Sequence, residues 1–456
     1  MADILYQTES ICPECLTRIP ATHVLYGENI YLEKTCPKHG DFRTIIWRGK
    51  PSFSSWVRPK TPSFPKFPRT EVRDGCPYDC GLCSDHRQHS CSVLLEVTQR
   101  CDLHCPICFA DAGSVPSKDW SMSEIASCFK SLLAIGGPFN IQLSGGEPCI
   151  RDDLPDIIRL GRSYGFTFFQ LNTNGLRLAH DSAFLSELKS AGLSTVFLQF
   201  DGIHEMIYEQ IRGRKLFDIK MATIDRCKKL GIGVVLVPTL VPGINLDDIG
   251  NIIQLALKQM PTVRGVHFQP ISYFGRYPES PTDESRITMP EIIRAIDKQT
   301  DGLIPMAAFC PPGCENAACS FHGNFVLMPD GSLKPLTRLK SIECCCKPTV
   351  AEEGAVRARE FVANNWVAPN PNPELLESRS PSLGEWDIFL ERKRTHTFCI
   401  SGMAFQDAWN LDLERLKDCC IHVASRDGRL IPFCAYNLTD CQGRSLYRPT
   451  CENHPA

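Results

Sequence analysis

The sequence lacks any long apolar run. Its most apolar stretch, Gly231 to Ile244, is broken by Pro238 and Pro242 and falls short of the roughly 20 residues that cross a bilayer. It lacks an excess of one charge: 49 Lys and Arg stand against 52 Asp and Glu, a net charge of -3, so no global basic field draws it to nucleic acid. Met1 to Ser10 holds no basic segment followed by an apolar one, so no signal peptide is expected. Repeats of solenoid period and low-complexity tracts are absent too. With 43% hydrophobic and 22% charged residues, the composition is that of a globular chain, which excludes wholesale disorder. At ~150 residues per domain, 456 residues suggest about three domains. A cytoplasmic protein without a transmembrane segment is the expectation, with peripheral membrane contact left open.

What is abundant is cysteine, 25 residues in all. That share lies below the ~8–10% of small disulfide scaffolds. In a reducing compartment, clustered cysteines are metal ligands or catalytic groups rather than disulfides. They cluster toward both ends and leave a cysteine-poor middle. Four segments follow from this distribution: a metal-binding module over 1–50, a proline-rich linker with a first CxxxCxxC segment over 51–90, a core over 91–301, and a cysteine-rich region over 302–456.

The core alternates apolar strand patterns (Val93–Val97, Phe139–Leu143, Thr167–Leu171, Thr195–Phe200, Gly233–Val241, Gly265–Pro270) with helical ones (Ser123–Ile135, Leu154–Tyr164, Ser182–Ala191, Asp218–Leu230, Leu246–Met260). Such alternation predicts a parallel α/β sheet of βαβ units. Six strands suit a partial barrel, while an open doubly wound sheet is the alternative.

Cys101-x3-Cys105-x2-Cys108 follows the first of these strands. Three thiolates at this spacing can hold three corners of a [4Fe–4S] cluster and leave the fourth iron open. A zinc site would usually want a fourth Cys or His. The next strand ends in Ser144-Gly145-Gly146-Glu147-Pro148. Its glycines allow close backbone approach to a ligand, and Glu147 offers an acceptor for a cationic amine. Asn172 and Asp201 stand at later carboxyl strand ends, where barrel sites are built.

Elsewhere, Cys12-x2-Cys15 followed by Cys36-x2-His39 has the spacing of a zinc ribbon or rubredoxin-like knuckle for Zn or Fe. Cys76-x3-Cys80-x2-Cys83 repeats the core spacing without a glycine-rich strand end after it, so it reads as an auxiliary cluster, its fourth ligand Cys91, His86, His89 or a more distant group. Cys310, Cys314 and Cys319 form one C-terminal group. Cys399, Cys419 and Cys434 form another, bracketing a helical pattern over Asp407–Leu416. Adjacent Cys419 and Cys420, and the run Cys344 to Cys346, cannot easily serve one cluster together.

CxxxCxxC followed one βα unit later by GGEP resembles the radical S-adenosylmethionine (SAM) superfamily over roughly Cys91 to Asp301. The resemblance implies a partial (β/α)6 radical SAM barrel. Cys101, Cys105 and Cys108 would bind the cluster, SAM would chelate its open iron, and Gly145, Gly146 and Glu147 would hold the SAM amine. Reductive cleavage would then give a 5'-deoxyadenosyl radical, with electrons from a donor such as a ferredoxin or flavodoxin. Ile107 precedes the third cysteine where an aromatic is usual, and Phe109 follows it.

Three further segments, Gly75–Cys83, Arg100–Ala110 and Asp427–Asn437, together with the N-terminal knuckle, resemble the radical SAM group that includes tetraether lipid synthase and pterin methyltransferases. This implies several iron–sulfur clusters, a mononuclear metal, and functionalisation of an unactivated carbon. The first expectation is C–C coupling of lipid chains in lipid biosynthesis. The alternative is a radical SAM methyltransferase acting on a pterin-like heterocycle, and a third reading is a non-enzymatic iron–sulfur electron carrier. Aliphatic walls in the barrel favour lipid; a polar pocket with Asp or Asn partners favours the heterocycle. Gly402 stands where the lipid synthase pattern has a cysteine.

Overall fold

The computed structural model describes residues 2–114, 118–337, 348–369 and 384–448. Cys344 to Cys346, Cys451 and most of the breaker-rich stretch after Pro369 lie outside the described residues.

Strands Ala2–Ile11, Arg18–Tyr26, Asn29–Cys36 and Gly40–Arg48 form a four-stranded antiparallel sheet in chain order. The proline-rich segment after it carries little regular structure. It is pinned by buried Trp56, whose Nε1 donates to the Ala317 carbonyl at 2.9 Å.

Six parallel strands follow: Ser92–Thr98, Asn140–Gly145, Phe169–Thr173, Thr195–Gln199, Gly233–Val237 and Val263–Pro270. They neighbour one another in chain order. Right-handed crossovers that never reverse direction place all their helices on one face. That resolves the two alternatives in favour of the partial barrel. The Gly233–Val241 pattern breaks at Pro238, which has no N–H to give the ladder; Thr239–Leu240 then pairs separately with the sixth strand. Helices Met122–Ala134, Leu154–Ser163, Ser182–Ala191, Phe217–Leu230 and Ile249–Lys258 match the expected patterns. Helices Glu205–Arg212 and Met289–Gln299 were not anticipated.

The strands divide their side chains by the period of two. Ile141 and Leu143 pack in the main core, whereas Asn140, Gln142 and Ser144 line an internal cavity. The C-terminal residues do not pack apart from this sheet. Thr397–Met403 adds a parallel strand beside the sixth core strand, and Ser320–Leu327 pairs antiparallel beyond it. Ile421–Ala424 adds a parallel strand beside the first. The Asp407–Leu416 pattern forms a helix only over Leu413–Lys417. Its earlier part turns because Asp407 is buried against Arg286, with both carboxylate oxygens engaged at 2.9 Å. Among the described residues, no helix is long and apolar enough to cross a membrane.

Candidate functional site: a cavity with sulfur at both ends

A cavity of about 600 Å³ occupies the inside of the barrel. At the carboxyl ends of the strands, Cys101, Cys105 and Cys108 all line it. Their loop is fastened by backbone contacts. The Gly146 N–H donates to the Thr98 carbonyl (2.9 Å), and the Glu147 N–H to the Arg100 carbonyl (2.8 Å). A Cβ on Gly145 would lie 2.0 Å from the Thr98 oxygen, and one on Gly146 2.1 Å from the Arg100 oxygen. These glycines are thus demanded by a close approach to the cysteine loop itself, besides any approach to a ligand. From the far side, Cys108 and Arg276 exchange two backbone hydrogen bonds of 2.9 Å. The Arg276 guanidinium donates to the carbonyls of Cys105 (3.0 Å) and Ala112 (2.9 Å).

Glu147 is buried at the cavity wall. One carboxylate oxygen accepts from Thr173 Oγ1 (2.8 Å) and the Cys149 N–H (3.0 Å), the other from the Asn174 N–H (2.7 Å). A carboxylate has about four lone-pair positions, so one is left for a ligand amine. Burial raises its pKa, against the pull of those donors.

Asn172 lines the cavity and belongs to an ordered row of amides. Gln170 Nε2 donates to Asn172 Oδ1 (2.8 Å), Asn172 Nδ2 to Gln142 Oε1 (3.3 Å), and Gln142 Nε2 to Ser92 Oγ (2.7 Å). Asp201 has a different place from the one expected. It is fully buried behind the wall and clasps Arg212 through Nε (2.7 Å) and Nη2 (2.8 Å). Arg212 is the residue that reaches the cavity. Its charge counters the burial that pushes the Cys105 thiol up. Nothing around Arg212 or Arg276 in the sequence marked them, because each acts on a loop distant in the chain.

The donor set fits a [4Fe–4S] cluster: three thiols on one fastened loop, a guanidinium beside them to balance thiolate charge, and a carboxylate with a free acceptor position. Burial pushes the Cys101 thiol up to about 12, so a metal binding there displaces its proton.

The remaining sulfurs assort differently from the expected groups. Cys12, Cys15, Cys36 and His39 converge, with ligand atoms all within 4.8 Å of one another. His39 Nδ1 lies 3.4 Å from Cys12 Sγ and 3.5 Å from Cys36 Sγ. Burial opposes ionisation of Cys36, but the Lys38 and His39 backbone N–H groups bring it down to about 6, the thiolate form a metal requires. Cys76, Cys80 and Cys83 stay together, the first and last both acting on buried Cys80. None of the suggested fourth ligands joins them: His86 Nε2 contacts the Cys419 carbonyl (2.8 Å), His89 Nε2 contacts Ser63 Oγ (3.0 Å), and Cys91 joins another group.

The two C-terminal groups exchange members. Cys314 converges with Cys91 and Cys420. Cys319 instead joins Cys419 and Cys434, all influencing one another electrostatically, and buried Arg415 donates to Cys319 Sγ at 3.5 Å. Adjacent Cys419 and Cys420 thus serve separate groups. Cys310, bridged through its backbone to His322, has Arg58 rather than another cysteine acting on its thiol. Cys399 is buried in the strand Thr397–Met403 and lines the cavity, with Arg264 and Trp366 rather than another cysteine acting on its thiol.

Residues 4–48 match the HMPTM N-terminal zinc ribbon domain, and residues 95–256 match the radical SAM superfamily. The chain is 37% identical over 471 aligned residues to the 7,8-dihydro-6-hydroxymethylpterin dimethyltransferase of Methanocaldococcus jannaschii, covering 94% of this chain and 93% of that protein. It is 30% identical over 198 residues to the GTP 3',8-cyclase of Paenarthrobacter nicotinovorans, covering 42% of this chain and 54% of that one. Among solved structures, Streptococcus suis SuiB aligns with a TM-score of 0.39 and 13% identity, over 47% of this chain and 46% of that one. The match to the radical SAM superfamily and the near full-length similarity to the M. jannaschii protein establish that the chain belongs to the radical SAM superfamily, in the family of that dimethyltransferase.

Proposed function

We propose that this chain is a radical SAM methyltransferase acting on a pterin-type heterocycle. The observation that carries the reading is the amide row Gln170, Asn172 and Gln142 on the inner face of adjacent strands. Beyond the bonds within the row, each amide keeps further donor and acceptor positions; a heterocycle's edge can pair these, and a lipid chain would leave them unpaired at a cost in free energy. The lipid-coupling expectation gives way here because the strands carry amides where a lipid would want aliphatic side chains. The name of the M. jannaschii relative points the same way. A cavity of about 600 Å³ also falls within the ~300–1,000 Å³ of small-molecule and cofactor sites.

Bound at the carboxyl end, a reduced [4Fe–4S] cluster and SAM supply a 5'-deoxyadenosyl radical. The chain's own residues supply the setting. Cys101, Cys105 and Cys108 hold the cluster, and Arg212 balances their charge. Glu147 accepts a hydrogen bond from the SAM amine. Asn172, kept in orientation by Gln170 and Gln142, reads the heterocycle's polar edge. Phe197 and Trp366, stacked with centroids 5.6 Å apart in the cavity wall, offer the ring a flat apolar surface. An external reductant of the ferredoxin or flavodoxin class provides the electron.

The test supplies anaerobic, reduced holoenzyme with SAM and 7,8-dihydro-6-hydroxymethylpterin. The expected result is 5'-deoxyadenosine together with a pterin heavier by a methyl group, read by mass spectrometry. Formation of 5'-deoxyadenosine that ignores the pterin and responds to archaeal-type lipid would overturn the reading.

A further inference from the structure

The far end of the cavity carries sulfur that the carboxyl-end site does not use. Cys91 immediately precedes the first core strand, and Cys420 immediately precedes Ile421–Ala424, the strand hydrogen-bonded beside it. The two are in register: the Cys91 N–H donates to the Cys420 carbonyl at 2.8 Å. Cys314 arrives from a separate loop, held by Gln88 Nε2 on its carbonyl at 2.5 Å. Helix Ala351–Asn365 packs behind them with small residues; a Cβ on Gly354 would lie 2.5 Å from the Gly313 oxygen. All three cysteines line the cavity, at the amino ends of the strands.

We infer that Cys91, Cys314 and Cys420 bind a single thiophilic divalent cation, zinc or iron(II), whose remaining coordination position opens on the cavity. The distances distinguish this from a cluster. At a metal–sulfur bond of about 2.3 Å, sulfurs around one tetrahedral ion stand about 3.8 Å apart. Cys91 Sγ and Cys420 Sγ are 3.2 Å apart, and the three sulfurs all lie within 4.8 Å of one another. Among the described residues, the only other Cys/His/carboxylate group of three or more drawn so tightly together is the N-terminal knuckle. The Cys101 triad is not drawn together in this way, as suits thiolates that bond to different irons and project from the corners of a cube. The amino-end triad therefore has the spacing of the single-ion site and not that of the cluster site.

Glu315 completes the surroundings without joining the group. One of its carboxylate oxygens is held by Ser320, and the other lies 3.6 Å from Cys420 Sγ. Three protein sulfurs and one position facing the cavity form the open arrangement of metals that bind a ligand, in contrast to the closed four-ligand arrangement of structural ions. The ligand such a position takes is a nitrogen or oxygen donor on a molecule occupying the cavity. The seven residues of the first core strand span roughly 20 Å. The ion thus sits a strand's length from the Cys101 triad and serves to anchor a ligand rather than to share the cluster's iron.

The experiment uses anaerobically purified full-length holoenzyme. Zinc, iron and acid-labile sulfide per chain are measured for wild type, Cys314→Ser and Cys420→Ser, with circular dichroism to confirm folding. The expected result is the loss of one zinc, or one iron without sulfide, in each variant. Loss of about four irons with a matching amount of sulfide, or no loss of metal, overturns the inference. Should these variants fail to fold, zinc-edge X-ray absorption on the Cys36→Ser holoenzyme, which lacks a complete knuckle site and is loaded with zinc after its clusters are assembled, reads the ion apart from cluster iron. Three sulfurs at about 2.3 Å around an ion without iron neighbours support the inference; absence of such an ion overturns it.

Discussion

The two ends of the barrel cavity are built on different plans. At the carboxyl end, Cys101, Cys105 and Cys108 belong to one short loop, clamped by Gly145, Gly146 and Arg276. At the amino end, Cys91, Cys314 and Cys420 come from three distant segments that meet only because two parallel strands lie side by side and a helix closes behind them. The first arrangement is local, so its geometry survives as long as the loop stays fastened. The second is a product of the whole sheet. The amino-end sulfurs lie within 4.8 Å of one another, the spacing proposed above for one ion, whereas the carboxyl-end sulfurs do not form such a group.

The strongest test of that division is Cys105→Ala. Removing one of three cluster ligands should abolish 5'-deoxyadenosine formation in reduced protein, measured by chromatography with mass detection, while the zinc content of the knuckle stays at its wild-type value. Wild-type rates in this variant would take the cofactor away from the carboxyl end altogether.

Arg212→Leu comes next in size. It strands the fully buried Asp201, whose partner lies at 2.7 and 2.8 Å. Breaking a buried pair from one side costs about 3–5 kcal/mol, whereas replacing both members by apolar residues is often close to neutral. Urea denaturation under anaerobic conditions should show that loss for Arg212→Leu and recovery of most of it in Asp201→Leu/Arg212→Leu. Cluster occupancy should remain low in both, since neither variant places a cation beside Cys105. Full occupancy in the double variant would show that the charge at this end is dispensable.

What could be read from the sequence follows the same division. The Cys101 loop and GGEP turn were legible because their partners are near in sequence, and so were the six strands and five helices with clean periodicity. The knuckle was legible because two short hairpin turns carry all four ligands. The C-terminal sulfur groups differ from the sequence expectation because proximity in sequence there is not proximity in space. Cys419 and Cys420 go to separate groups, a division that only the strand beginning at Ile421 reveals. Asp201 was placed at a strand end correctly, yet its role depends on Arg212 from a helix whose pattern was not recognised.

The junction between the N-terminal sheet and the C-terminal segment provides a prediction with a pH signature. Asp412 joins the N-terminal sheet to the C-terminal segment, 3.0 Å from His23 Nε2 and accepting from Thr8 Oγ1 at 2.7 Å. Burial opposes its ionisation, but His23, Thr8 and the charge of Arg415 outweigh this and hold it at about 2. A depressed carboxylate pKa contributes stability at pH values above the unfolded pKa of about 4, and that stability is lost as pH falls toward 2. The contribution is about 2 kcal/mol at neutral pH. Asp412→Asn should show that deficit in urea denaturation at pH 7, narrowing as the pH is lowered through this window. A deficit independent of pH would mean that the carboxylate's charge has no part in joining the two regions.

The smallest effect sharpens the comparison from the middle of the cavity, where neither sulfur group reaches. Asn172→Ala removes the central amide of the row and leaves Gln170 and Gln142 without their shared partner. One neutral hydrogen bond contributes about 1 kcal/mol, so KM for the heterocycle should rise about fivefold, while 5'-deoxyadenosine formed without substrate stays at its wild-type level. Gln170→Ala should move KM in the same direction by less, because it deprives Asn172 of an orienting donor and leaves the reading amide in place. An unchanged KM in both variants would separate the amide row from substrate recognition. The surface of Phe197 and Trp366 and the cavity's two ends would then carry the binding of the ligand.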